Sequence, residues 1–168
     1  RRFSEWQRKG TQFSLLIMDL DHYKRFNDNY GHQTGDEVLR RVGKQLQATC
    51  RGMDLPCRYG GEEFAVVMPA TAGLETEASA ERLRRVIEAM ELELEGHKLN
   101  VTCSIGVAEV IRSDDIVSIL RRADAALYQS KNTGRNCCHV HDGFECRPVL
   151  APGITEEKAK PSTPTSQH

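Results

Sequence analysis

The chain has 168 residues, 39% hydrophobic and 28% charged, with a formal net charge of -1 and a pI of about 6.7. That length suits one domain with its own core, and the near-neutral balance argues against a basic nucleic-acid surface or a polybasic membrane surface. No apolar run approaches the ~20 residues that span a bilayer, and residues 1–6 carry no apolar signal-peptide core.

The chain opens on Arg1 without an initiator Met, as expected of a fragment of something longer. Residues 1–12 read as a connector from an upstream region. Six cysteines, at 50, 57, 103, 137, 138 and 146, include no C-x-x-C pair. A reduced, cytoplasmic protein is the simpler expectation. Cys138-His139-Val140-His141 is a poor metal cluster, because alternate strand residues face opposite ways and no second ligand pair has zinc spacing.

Phe13 to Met18 is a short apolar run ending at Asp19 and predicts a buried central strand. A polar segment from Asp21 to His32 carries a short helix ended by Gly31. A second helix is expected from about Asp36 to Cys50, with Val38, Leu39, Val42 and Leu46 as its apolar stripe. Strands over 55–59 and 62–68 flank Gly60-Gly61, a strong hairpin signal because that tight turn needs positive φ. A third helix over 77–91 places Ala80, Leu83, Val86, Ile87 and Met90 on one side.

Residues 99–110 alternate Val101, Cys103, Ile105 and Val107, predicting one long strand. Ser113-Asp114-Asp115 starts a helix whose stripe is Ile116, Ile119, Leu120, Ala123 and Leu127, and Gly134 ends it. Residues 137–141 form a last short strand. From 145 to 168 the pattern dissolves into a Pro-, Ser- and Thr-rich tail expected to be disordered. The prediction is an α+β domain over 13–144: a central, mainly antiparallel five-stranded sheet, with helices on one side.

Asp19 stands where a buried strand emerges, and Glu62 at the edge of a hairpin. If the two strands are neighbours, both carboxylates meet at one spot. Hard oxygen ligands of that kind suit Mg²⁺, which takes phosphate oxygens and water as its other ligands. Such an ion would neutralise a triphosphate and orient an in-line attack. Glu63 adds an acid able to bind or deprotonate an attacking hydroxyl. Gly60 and Gly61 let a ligand approach the backbone closely. On these residues alone, a plain hairpin with exposed acids stands equally.

Arg58-Tyr59-Gly60-Gly61-Glu62-Glu63-Phe64 resembles the signature of the GGDEF diguanylate cyclase family, in its Gly-Gly-Glu-Glu-Phe form. Asp19-Leu20-Asp21-His22-Tyr23-Lys24 resembles the family's D-x-D-x-F-K stretch. Asn27-Asp28, Gly31-His32, Gly35-Asp36-Glu37-Val38-Leu39, Ser104-Ile105-Gly106-Val107, Ala123-Asp124 and Lys131 to Asn136 follow in family order. Together they cover roughly residues 13–140, and such a joint match is specific. Glu62 in place of Asp, and His22-Tyr23 in place of an aromatic pair, are small departures.

The resemblance implies a nucleotidyl-cyclase or polymerase-palm-like sheet and condensation of two GTP into cyclic di-GMP. Asp19, Glu62 and the Leu20 carbonyl would hold Mg²⁺, with Mn²⁺ a possible substitute, and Glu63 would act at the 3′-hydroxyl. Asn27 and Asp36 would read guanine, a carboxylate accepting from its N1-H and N2 amine. Helix capping by Asp36 and a turn role for Asn27 are the plainer alternatives. Amides around His22, Tyr23 and Lys24 would meet the phosphates, and Lys131 and Arg135 would clamp them. His32 matches a family position, and a structural hydrogen bond serves it equally well.

A two-fold symmetric product implies a homodimer with one GTP per half-site. Arg51-Gly52-Met53-Asp54 is an R-x-x-D stretch at the family's inhibitory offset from Gly60, and Arg82 matches its secondary arginine. These imply inhibition by cyclic di-GMP, against an ordinary surface ion pair. A non-catalytic module sensing GTP or cyclic di-GMP is the alternative function, and an adenine-specific cyclase is disfavoured by Asn27 and Asp36. Neither nucleic acid nor membrane contact is expected of this segment.

Overall fold

β1 (Phe13–Leu20) is buried along all eight residues. A strand apolar on both faces needs cover on both, and the computed structural model, which describes Ser4, Arg8 and residues 10–150, supplies it. Leu16, Met18 and Leu20 pack with Val38 and Val42 of α2 (His32–Thr49) and with Leu83 and Ile87 of α3 (Leu74–Glu88). Leu15 and Ile17 pack on the opposite face with Ile119, Ala123 and Leu127 of α4 (Ile116–Asn132). The helices therefore cover both sides of the sheet rather than the one expected.

The sheet has six strands, not five, in the order β2-β3-β1-β6-β7-β8. Its members beyond β1 are β2 (Leu55–Arg58), β3 (Glu63–Pro69), β6 (Cys103–Glu109), β7 (Cys138–His141) and β8 (Cys146–Pro148). β1 runs antiparallel to both β3 and β6, while β7 is parallel to β6 through the α4 crossover. The sixth strand lies beyond the expected domain limit at 144. Asp142 Oδ1 accepts from the amides of Phe144 and Glu145 at 2.8 and 3.0 Å, and this turn folds β8 back onto β7. Arg147 on β8 then pairs with Glu77 on α3. The rest of the expected tail, residues 151–168, and most of the expected 1–12 connector lie outside the described residues.

The long strand expected over 99–110 is two. β4 (Leu92–Leu94) and β5 (His97–Leu99) form a separate ribbon. It reverses through Glu95 and Gly96 at φ 51° and 78°, the left-handed pair of a tight hairpin turn. Only β6 joins the main sheet. There Gly106 lets α4 lie directly on the strand: a Cβ at this position would stand 2.1 Å from the Leu127 nitrogen and 2.3 Å from the Ala123 oxygen.

Helix bounds shift modestly. α1 (Tyr23–Tyr30) ends at Gly31, φ 84°, as expected. α2 starts at His32, and α3 ends at Glu88 instead of 91. α4 begins with a capping box in which Asp115 accepts from the Ser118 amide and Ser118 accepts from the Asp115 amide. All six cysteines are free. Among the described residues no helix is long and apolar enough to cross a membrane.

Candidate active site

The antiparallel register of β1 and β3 sets Asp19 opposite Glu63, and the Leu20 amide lies 3.4 Å from the Glu62 carbonyl oxygen. Strand pairing thus brings Asp19 to the adjacent acids Glu62 and Glu63, which lie far along the chain from it. Asp19 is buried, and Lys131 Nζ, arriving from the last turn of α4, donates to its Oδ2 at 2.8 Å. Burial raises the Glu62 carboxyl above its ordinary range; Asp19 and then Glu63 add to the shift, and Lys131 opposes it between them.

A raised acid beside a buried one is a site short of positive charge. Among the described residues no three His, Cys, Asp or Glu side chains are grouped to hold a metal ion. Two carboxylates and a backbone carbonyl are a donor set that fits Mg²⁺, whose remaining ligands come from phosphate and water. Asp19, Glu62 and Leu20 fit that description.

The hairpin differs from expectation. Its loop is four residues, Tyr59 to Glu62, and neither Gly60 nor Gly61 has positive φ. The reason for glycine is contact. A Cβ on Gly60 would lie 2.6 Å from Glu63 Oε2, so the bare backbone lets the Glu63 carboxylate fold over the turn. Arg58 braces it: Nε lies 3.2 and 3.1 Å from the Gly60 and Gly61 oxygens, and Nη2 donates to Gly61 at 2.6 Å. Arg58 belongs to the signature, which by itself gives it no role. Only the reversed chain shows its guanidinium facing those carbonyls.

Beside these acids, α1 starts at His22, which is left-handed at φ 56°. First-turn amides of a helix have no intrahelical acceptor, so those around Tyr23 and Lys24 are free to meet an anion. Asn27 lies inside α1, not in a turn. Its Oδ1 is buried without a hydrogen-bond partner, and Oδ1 and the Tyr23 hydroxyl both border the space beside Gly35. Burial, the largest cause, raises the Tyr23 phenol, and the Asp36 charge adds to this. Asp36 sits in the second turn of α2, so it is no N-cap. It lines a groove of about 380 Å³ with Leu39, Pro56, Arg58 and Phe64. A carboxylate near an apolar wall can accept hydrogen bonds from a planar base; Asn27 does not line this groove.

Lys131 therefore reaches the acids directly. Arg135 lies exposed on the loop after α4, left-handed at φ 64°. His32 is the exposed first residue of α2. Asp21 follows β1 directly. It accepts from Thr102 and Ser104 hydroxyls at 2.6 Å each, tying the end of β1 to β6.

The R-x-x-D stretch lies elsewhere. Asp54 Oδ2 accepts from the Arg51 amide at 2.8 Å, while Asp54 Oδ1 is buried and unpartnered. Arg51 Nη1 meets Glu75 at 2.6 Å, at the start of α3. Burial pushes the Cys50 thiol up to about 11, Asp54 adding and Arg82 opposing. Arg51 and Asp54 thus close one turn against the start of α3, the helix that also carries Arg82.

Residues 1–137 match the family described as diguanylate cyclase, GGDEF domain. The diguanylate cyclase VdcA of Vibrio cholerae is 43% identical over 130 residues, covering 76% of this chain and 38% of that protein. The GGDEF domain of DgcB from Caulobacter crescentus, solved in complex with c-di-GMP, is 38% identical with a TM-score of 0.76, covering 79% of this chain and 80% of that one. An active GGEEF domain of a Vibrio cholerae diguanylate cyclase is 32% identical with a TM-score of 0.76, covering 83% and 89%. The chain spans well under half the length of VdcA.

Proposed function

The chain belongs to the GGDEF diguanylate cyclase family, and we propose that it condenses two GTP into cyclic di-GMP, releasing two pyrophosphates. The observation that carries this reading is the convergence of Asp19, Glu62 and Glu63 at the β1–β3 pairing, with Lys131 beside them.

Asp19, Glu62 and the Leu20 carbonyl would hold Mg²⁺, or Mn²⁺ in its place, which supplies charge neutralisation at the phosphates. Asn27 and Asp36 accept hydrogen bonds from guanine, leaving adenine unmatched. Amides of the His22–Lys24 turn, with Lys131 and Arg135, hold the triphosphate, and Gly60 and Gly61 leave room for it. Each 3′-hydroxyl attacks the α-phosphorus of the other GTP. The bond to the β-phosphate oxygen breaks, pyrophosphate leaves, and Glu63 takes the hydroxyl proton.

One domain offers one such site, so two copies face each other about a two-fold axis, and proximity does much of the catalysis. Arg51, Asp54 and Arg82 bind the product and limit turnover. The domain works in the cytoplasm, without nucleic acid or membrane contact of its own. A sensing module without turnover is the weaker reading, because the signature acids and both glycines are all present.

Incubation with GTP and Mg²⁺, followed by chromatography of the products, tests the proposal. Cyclic di-GMP is expected; its absence at high protein concentration would overturn it. Glu63→Gln should abolish turnover while GTP still binds.

A further inference from the structure

Arg135 and Asn136 are consecutive non-glycine residues in the left-handed region, at φ 64° and 47°. L side chains rarely adopt this backbone, and two in succession need something to hold them. Asn136 is held on three sides. Its amide N–H donates to Asp21 Oδ2 at 3.0 Å, its Oδ1 accepts from Arg84 Nη1 at 2.7 Å, and its Nδ2 donates to Glu88 Oε1 at 2.7 Å.

Each anchor is itself fixed. Arg84 lies only 12% exposed and is gripped by both oxygens of Glu81, at 2.8 and 2.9 Å. Asp21 is bound to Thr102 and Ser104. A primary amide carries both an acceptor oxygen and donor hydrogens, so Asn136 accepts from the guanidinium while donating to the carboxylate. Arg135, the residue before Asn136, has its backbone N–H on the Ser130 oxygen at 3.0 Å, and its side chain is exposed.

We propose that Asn136 and Arg84 are positioning residues: they lock the loop after α4 so that Arg135 is presented to the triphosphate of bound GTP. This rests on the cyclase reading above. Fixing the backbone in advance spares the Arg135 side chain that ordering cost on binding. The same network links this loop to α3, which carries Arg82 two residues before Arg84.

Asn136→Gly tests this, because glycine keeps the left-handed backbone and the N–H to Asp21 while deleting both side-chain bonds. Binding of a non-hydrolysable GTP analogue is measured by calorimetry, and of guanosine by NMR titration, in the full chain. Asn136→Gly should weaken the analogue about tenfold and leave guanosine unchanged, and Arg84→Lys should produce a smaller loss of the same kind. Arg135→Ala should cost a similar factor, and the Asn136→Gly, Arg135→Ala double variant no more than Arg135→Ala alone. Additive losses, or equal weakening of guanosine, would overturn the inference. Failure of the wild type to bind the analogue would instead remove the cyclase reading, and this inference with it.

Discussion

Lys131 on α4 donates to the Asp19 carboxylate at the end of β1 across 2.8 Å, although 112 residues separate them. The ammonium partly neutralises an acid pair that is otherwise left buried with insufficient counter-charge. Lys131 and Asp19 thus form one ion pair, beside which Glu62 is held above its ordinary range.

The pH dependence follows. Burial first, then Asp19, holds the Glu62 carboxyl above its ordinary range. A cation needs the ionised form, so activity should fall on acidification at a higher pH than an exposed glutamate would dictate. Folding stability runs the other way. A raised acid binds more protons when folded, so between its ordinary and raised values stability declines as pH increases, and above the raised value it stays at the lower level. Lys131→Met should shift both profiles upward in pH. Rate profiles and urea midpoints across pH measure this; an unmoved acid limb would detach Lys131 from the pair.

The Arg51–Glu75 ion pair should compete with product. Its side chains are 38% and 51% exposed, and such surface pairs contribute at most about 1 kcal/mol. Glu75→Gln should therefore tighten inhibition by cyclic di-GMP only about two- to fivefold, whereas Arg51→Ala should relieve it. Inhibition constants read this directly, and weaker inhibition in Glu75→Gln would contradict it.

Gly35 packs directly against Asn27. A Cβ there would fall 1.8 Å from Asn27 Oδ1 and 2.8 Å from the Tyr23 hydroxyl. Gly35→Ala must push Asn27 aside, and KM for GTP should rise about tenfold with a smaller change in kcat. An unchanged KM would argue that Asn27 does not read guanine.

Gly106→Ala concerns the fold alone. The methyl would meet backbone atoms of α4, which cannot rotate away. The helix must lift from β6, at a cost of about 3 kcal/mol or more. Equilibrium urea unfolding measures it, and a loss below about 1 kcal/mol would contradict the close approach.

Much of this was legible in sequence. β1 announced itself by its apolar run, broken only at Ser14 before Asp19, and α4 by Asp115 at its cap and Ile119, Ala123 and Leu127 in its stripe. Other features were not. β8 follows an Asp142 turn within a segment whose composition resembles a tail, and strand pairing, not propensity, makes it a strand. The break between β5 and β6 was hidden because both halves continue one apolar alternation. Glu95-Gly96 was the available signal for the ribbon. Gly60-Gly61 suggested left-handed backbone, yet the observed reason is Glu63 lying against Gly60.

From sequence alone came the residue types that chemistry needs: Asp19, Glu62 and Glu63 as hard acids, Asn27 and Asp36 as acceptors, Lys131 and Arg135 as cations, at spacings that resemble one family. Side-chain identity and local periodicity are written along the chain. Tertiary structure alone decided that Asp19 faces Glu63, that Lys131 reaches Asp19, and that Asn136 is held between Asp21, Arg84 and Glu88. Those relationships depend on strand register and on how α3 and α4 pack against opposite faces of one sheet. Both are fixed by burial summed over the whole core, which no local stretch of sequence contains.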